Sequence, residues 1–226
     1  MRYGVGNGWR GIAVAVLLTG VAAGCGESGE DSGPADGKGS ATAEVAARGE
    51  TVGAAGSACE LPVTFDIAEF WEAERIDAAA QHSDTGDEVS DAVGDALADA
   101  FLHQGPVTMA CEVDAKPAGK LGFLRVWTGK PGDADARDVL EGFVGAEKTA
   151  SGEKYRAFRS GSLSGTEVEY TTTSELLEET KKERALAVST PDGPVVVHLG
   201  GMDTEEHEAM LPAYELAKRT LKATTA

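Results

Sequence analysis

The sequence predicts an α/β (α+β) fold: a mostly antiparallel sheet flanked by helices, an α/β/α sandwich. Three observations lead there. Two-residue apolar alternation recurs in several short segments separated by stretches of helical periodicity. The last four strand segments are joined by turns too short for a crossover, so they must pair antiparallel. One segment, 121–128 (Leu-Gly-Phe-Leu-Arg-Val-Trp-Thr), is apolar on both faces, as expected of a central strand covered on both sides.

Taken in order, the first strand is Val63, Phe65 and Ile67 alternating with Thr64 and Asp66; Phe70, Trp71 and Ile76 follow as expected core, and 77–86 read as a loop. Residues 87–103 predict a helix whose apolar stripe runs through Val89, Ala92, Val93, Ala96, Leu97, Ala100 and Phe101. Its row of Asp91, Asp95 and Asp99 reads as a solvated, mildly self-repelling face before it reads as a cation site. Val107, Met109, Cys111 and Val113 then alternate with polar or small neighbours, which puts Cys111 on the buried face. After the central strand, Ala136, Val139, Leu140 and Phe143 form the stripe of a helix over about 134–146, with Asp133 or Asp135 as N-cap. Strands at 154–159 and 166–173 flank a turn at 160–165, and strands at 184–190 and 194–199 flank the hairpin signal Pro191-Asp192-Gly193. A closing helix begins near Asp203, with Glu206 at the capping-box position and Met210, Tyr214, Ala217 and Leu221 on its stripe; Pro212 should kink or restart it.

The start of the chain carries a different signal. Residues 1–24 hold Arg2 and Arg10, no acidic residue, and an apolar stretch from Gly11 to Ala23. This is the n-region and h-region of a secretory signal peptide, shorter than the about 20 apolar residues of a membrane span. It ends Val21-Ala22-Ala23-Gly24-Cys25, which resembles the lipobox of bacterial lipoproteins, a small residue before an invariant Cys, although Ala22 stands where Leu is usual. The resemblance implies that Cys25 becomes the mature N-terminus, takes a diacylglyceryl group on its thiol and holds the protein on the outer face of the cell membrane. Two acyl chains anchor stably where one binds only marginally. Residues 25–57, rich in Gly, Ala and acidic residues and without an aromatic, read as a lipidated Cys and flexible linker of roughly 30 Å end-to-end distance. A single domain is then expected over 58–226.

Loss of residues 1–24 removes two positive charges, so the formal net charge of −18 becomes −20. Such a chain repels nucleic acid and anionic membrane surfaces, so lipid rather than charge must hold it at the bilayer. Of its three Cys, lipidation uses Cys25 and leaves Cys59 and Cys111. These are two buried thiols or a disulfide; outside the membrane the disulfide is favoured, closing a loop worth roughly 4 kcal/mol.

The stretch from Arg184 to Leu221, with its hairpin, Val195-Val196-Val197-His198-Leu199 and a closing helix, is similar to the end of the LpqN-type lipoproteins of actinobacteria. Val63-Thr64-Phe65-Asp66-Ile67 followed by Trp71 resembles their opening strand. The likeness extends over 61–222 by element order more than by motif. It implies the PsbP-like sandwich and an accessory or binding module of the cell envelope.

Motifs that imitate chemistry fail on inspection. Leu61-Pro62-Val63-Thr64-Phe65 resembles a sortase signal but ends in Phe. Asp133 and Asp135 open like a calcium loop, but Arg137, Asp138 and Val144 stand where ligands and glycine belong. Gly161-Ser162-Leu163-Ser164-Gly165 lacks the central Ser of a nucleophile elbow. His82, His103, His198 and His207 show no metal spacing; His207 reads as solvated helix surface and His198 as a satisfied His on a sheet face. The expectation is therefore no catalytic residue, no metal and no cofactor, with the membrane as partner through Cys25 and an envelope protein as candidate partner. A carrier of a small apolar or lipidic ligand, with a pocket lined by residues such as Phe65, Trp71 and Trp127, is the alternative reading. A hydrolase without a recognisable motif ranks last. Oligomeric state is not written in the pattern.

Overall fold

The computed structural model describes residues 44–77, 101–174 and 178–224. The signal segment, Cys25 and most of the helix expected over 87–103 lie outside the described residues; of that range 101–103 fall within them, Phe101 and Leu102 being helical and His103 already the start of a strand.

The strands in chain order are β1 (Arg48–Val52), β2 (Val63–Ala68), β3 (Glu72–Arg75), β4 (His103–Gln104), β5 (Val107–Asp114) and β6 (Gly122–Gly129). Helix α1 (Ala136–Gly145) follows, then β7 (Ser151–Ser160), β8 (Leu163–Ser174), β9 (Glu179–Thr190), β10 (Gly193–Gly201), helix α2 (Thr204–Thr220) and β11 (Lys222–Ala223). Every pair of these strands is antiparallel. The main sheet has the order β3-β5-β6-β10-β9-β8-β7, with β4 also on β5; a smaller sheet has the order β1-β2-β11.

The alternation in each central strand divides the core in two. On β10, Val195, Val197 and Leu199 face one way and Val196 the other. The first side joins Cys111, Val113, Leu124, Val126, Leu186 and Val188 to the small sheet (Val63, Phe65, Ile67) and to α2 (Met210, Tyr214, Ala217, Leu221). The second joins Met109, Trp127, Val168, Tyr170, Ala185 and Ala187 to α1 (Val139, Leu140, Phe143, Val144). Helix lies on one face, and helix plus small sheet on the other, so the α+β sandwich stands.

Local chemistry sets the ends. Asp135 caps α1, accepting from the N–H of Arg137 at 2.7 Å, and Asp203 caps α2, accepting from that of Glu206 at 2.8 Å. Only half of the expected capping box forms, because the Glu206 carboxylate turns to the N–H of Leu121 instead. Helix α2 runs through Pro212 without restarting, and the Pro212 carbonyl accepts from the N–H of Ala46 at 3.0 Å. The β9–β10 turn is Pro191-Asp192; Gly193, at φ +118, sits where a Cβ would strike the Gly129 carbonyl.

Three expectations change. Strand β1 pairs with β2 and buries Val52, and Gly53 donates to the Cys59 carbonyl at 2.9 Å, so residues 48–57 belong to the fold and not to the linker. Gly and Ala richness hid this strand because its outer positions face solvent. Phe70 and Phe101, both expected in the core, are exposed. His207 is buried, at 1% exposure, although it lies in the first turn of α2 among Glu205, Glu206 and Glu208.

Candidate functional site

Cys59 and Cys111 are disulfide-bonded, with Cα atoms 6.0 Å apart, as the cysteine arithmetic predicts. The bridge joins the segment leading into β2 to the middle of β5, and so ties the small sheet to the main one. Cys25 lies outside the described residues.

Among the described residues, His198 is the sequence-flagged His with chemically suggestive neighbours. Its Nε2 lies 3.0 Å from Glu183 and 3.4 Å from the Tyr170 hydroxyl, while Lys181 bonds the other oxygen of Glu183 at 2.8 Å. Burial alone would push the Glu183 carboxyl up; His198 and Lys181 outweigh it and hold it below its ordinary value. Burial, and then the Glu183 charge, push the Tyr170 hydroxyl well above its ordinary value. A nucleophile–base–orienter relay needs the two ring nitrogens to serve different partners. Here Glu183 and Tyr170 share Nε2, and Nδ1 is buried with no partner. The cluster is a sheet-face histidine held to Glu183 through Nε2, with its Nδ1 left unpartnered, and not the satisfied histidine the sequence suggests. Among the described residues, no group of three or more His, Cys, Asp or Glu is placed to hold a metal ion.

Phe65, Trp71 and Trp127 do not form one pocket. Phe65 is packed under the small sheet, whereas Trp127 meets Phe143 edge-on at 5.5 Å on the opposite face of the main sheet. Only Trp71 borders surface hollows.

The conspicuous surface lies at one end of the sandwich. Strand β5 ends at Asp114, whose carboxylate accepts from the Lys116 N–H at 2.8 Å. A 3-10 turn at Lys116–Ala118 follows and is closed by Gly119 at φ +74. The chain then reaches Leu121, whose N–H donates to Glu206 at 3.2 Å and whose carbonyl accepts from Met202 at 3.0 Å. Gly122 has room for no side chain, since a Cβ there would collide with Met210 and the Gly200 carbonyl. With its backbone fixed this way, Leu121 remains 48% exposed beside Met202 at 66%. Together with Phe123, Lys116 and Lys120 they line a largely apolar hollow of about 330 Å³. Lys120 also borders a second hollow formed by Ala46, Phe70, Trp71 and Met210. Phe70 is 68% exposed and has φ +66, a conformation that costs a bulky residue on the order of 1–3 kcal/mol. Leu121 and Phe123 read from sequence as strand core, and Met202 carries no pattern at all. Only the lone Met between Gly201 and Asp203, at a strand-to-helix corner, was there to be noticed.

The chain belongs to a family described as an uncharacterised lipoprotein, whose model matches residues 29–221. No curated protein matches it. Among solved structures it is similar to the cyanobacterial PsbP (CyanoP) of Synechocystis sp. PCC 6803, at 9% identity and a TM-score of 0.50, covering 85% of this chain and 98% of that one. It is also similar to LpqN of Mycobacterium tuberculosis, a protein involved in cell envelope biogenesis, at 13% identity and a TM-score of 0.39, covering 78% of this chain and 91% of that one. The PsbP likeness shows the fold expected from the element order.

Proposed function

We propose that this lipoprotein is anchored through acyl chains on Cys25 to the outer face of the cell membrane. There it serves as a non-catalytic binding module of the envelope, and its binding surface is the apolar end around Leu121 and Met202. The observation that carries the reading is the exposure of Val45, Phe70, Leu121 and Met202, which account for four of the five exposed large apolar side chains among the described residues. Large exposed apolar patches mark interaction surfaces rather than idle ones. The Gly24-Cys25 lipobox and the lipoprotein family support the anchor. The shared Nε2 and the burial of Tyr170 support a role without covalent chemistry.

A second reading, carriage of a small lipidic ligand, is favoured by the apolar lining and the two lysines of the hollow beside Phe123. Intact-mass analysis of the protein from membranes tests the anchor: a chain starting at Cys25 with diacylglyceryl and acyl mass is expected, and an unmodified chain starting elsewhere rejects it. Crosslinked pull-down from native envelopes, with Cys25→Ala as control, tests the binding role.

A further inference from the structure

We propose that the apolar end docks on the bilayer that holds the anchor, with Phe70, Leu121 and Met202 inserted at the headgroup–acyl boundary and Lys116 and Lys120 at the level of the lipid phosphates. This rests on the lipid-anchor reading and names the partner of the surface described above.

Position argues for it first. Ala46 and Ala47 line the same hollow as Phe70, Trp71 and Lys120, so the chain arriving from Cys25 joins the domain at this end. Val45, 38% exposed, is the adjoining residue of that tether. A lipid on Cys25 would therefore deliver the domain to the membrane by a tether that enters at this end, whereas the Pro191-Asp192 turn lies at the other end of β10.

Chemistry argues for it second. The hollow beside Leu121 is lined by Lys116 and Lys120 against a single acidic residue, Asp114, in a chain of net charge −18. Glu206 on the Leu121 N–H and Glu69 beside Phe70 offset these lysines, so the headgroups this end suits are zwitterionic ones, whose phosphates the lysines can meet without net repulsion. Aromatic and aliphatic side chains flanked by lysines are the composition that settles into the interface, where the ring and methylenes sit in the acyl boundary and the ammonium groups reach the phosphates. Conformation agrees: Phe70 holds a left-handed backbone at a turn and presents its ring to solvent.

The test uses the full lipidated protein in phosphatidylcholine vesicles that contain a phosphatidylcholine with a photoreactive acyl chain. After irradiation, lipid adducts are mapped by peptide. Adducts concentrated on the peptides holding Phe70, Leu121 and Met202 are expected. Adducts no more frequent there than on the peptide holding Asp192 overturn the proposal. Because the chain is unsubstituted, misfolding of a variant cannot mask the result. A Leu121→Asp, Met202→Asp double variant should stay anchored yet lose most of these adducts; retention of all of them also overturns it. Intact mass of the same sample separates the two readings: protein without acyl mass sinks the anchor, and docking with it, whereas acylated protein without adducts at this end sinks docking alone. In native membranes, a protein crosslinked to these peptides in place of lipid overturns it as well.

Discussion

Arg184 on β9 faces Glu167 and Glu169 on β8 and Glu215 on α2, and its guanidinium binds the Glu169 carboxylate directly. Burial would raise the Glu169 carboxyl; the charge and hydrogen bond of Arg184 reverse this and hold it below its ordinary value. Lys218 bridges Glu167 at 3.1 Å and Glu215 at 2.6 Å, and the more exposed Lys154, Arg156 and Arg219 reach Glu169, Glu167 and Glu215 at 3.9, 3.8 and 3.9 Å, so Arg184 and Lys218 are the two least exposed cations of the cluster where α2 crosses the sheet. Removing one partner of a buried ion cluster strands the rest. Arg184→Met should lower unfolding free energy by about 3–5 kcal/mol at neutral pH. Adding Glu167→Gln should recover part of that loss. Chemical denaturation of both variants decides it, and a loss below 1 kcal/mol for Arg184→Met would show the cluster is solvated like any surface pair.

The Cys59–Cys111 bridge closes a separation of 52 residues and is the covalent link between the two sheets. In the chain-entropy account a loop of this length contributes about 4 kcal/mol. Cys59→Ala, Cys111→Ala should therefore show a Tm depressed by many degrees, with the small sheet loosening first, as seen by hydrogen exchange at β2. Equal protection of β2 in both proteins would show that packing of Phe65 and Ile67 suffices without the link.

His207 carries a pH signature. Burial lowers its folded-state value to about 4 from an ordinary 6.5. The unfolded chain thus binds the proton more readily than the folded one. The stability this group leaves intact above pH 6.5 is lost as pH falls toward 4, by an amount on the order of 3 kcal/mol. His207→Leu should flatten the stability profile between pH 6.5 and 4 while leaving the acid limb below 4 to the carboxylates. An unchanged slope in that window would place the loss elsewhere.

Much of this architecture is legible in the residues, and the failures share one cause. Where burial follows periodicity, as at Val107, Met109, Cys111 and Val113, or at Val139, Leu140 and Phe143, the pattern names the element and its inner face. Turn chemistry at Pro191-Asp192-Gly193 and the caps at Asp135 and Asp203 are equally local and equally readable. What fails is whatever depends on a partner distant in sequence. β1 owes its existence to β2, His207 is buried by the sheet beneath α2, and Leu121 is left exposed because its backbone is spoken for by Glu206 and Met202. The apolar end is assembled from residues 45, 70, 121 and 202, which share no motif, and so no scan along the chain could have found it.

The boundary of the domain gives the last prediction. Strand β1 lies against one edge of β2, with Thr51 and Arg48 both on Asp66, at 2.6 and 2.9 Å, and with Val52 in the core. Asp66 is itself buried, so its carboxylate depends on those two partners. Gly53 holds φ +99 where a Cβ would overlap the Val63 carbonyl, which makes that corner specific to glycine. A chain starting at residue 44 should match the unfolding free energy of one starting at residue 26. A chain starting at residue 58 should lose several kcal/mol, through the unpaired β2 edge, the vacated Val52 site and the stranded Asp66 carboxylate. Gly53→Ala in the longer chain should reproduce part of that deficit. Equal stability from residues 44 and 58 would return 48–57 to the linker, and would loosen the case that the tether joins the domain beside Phe70.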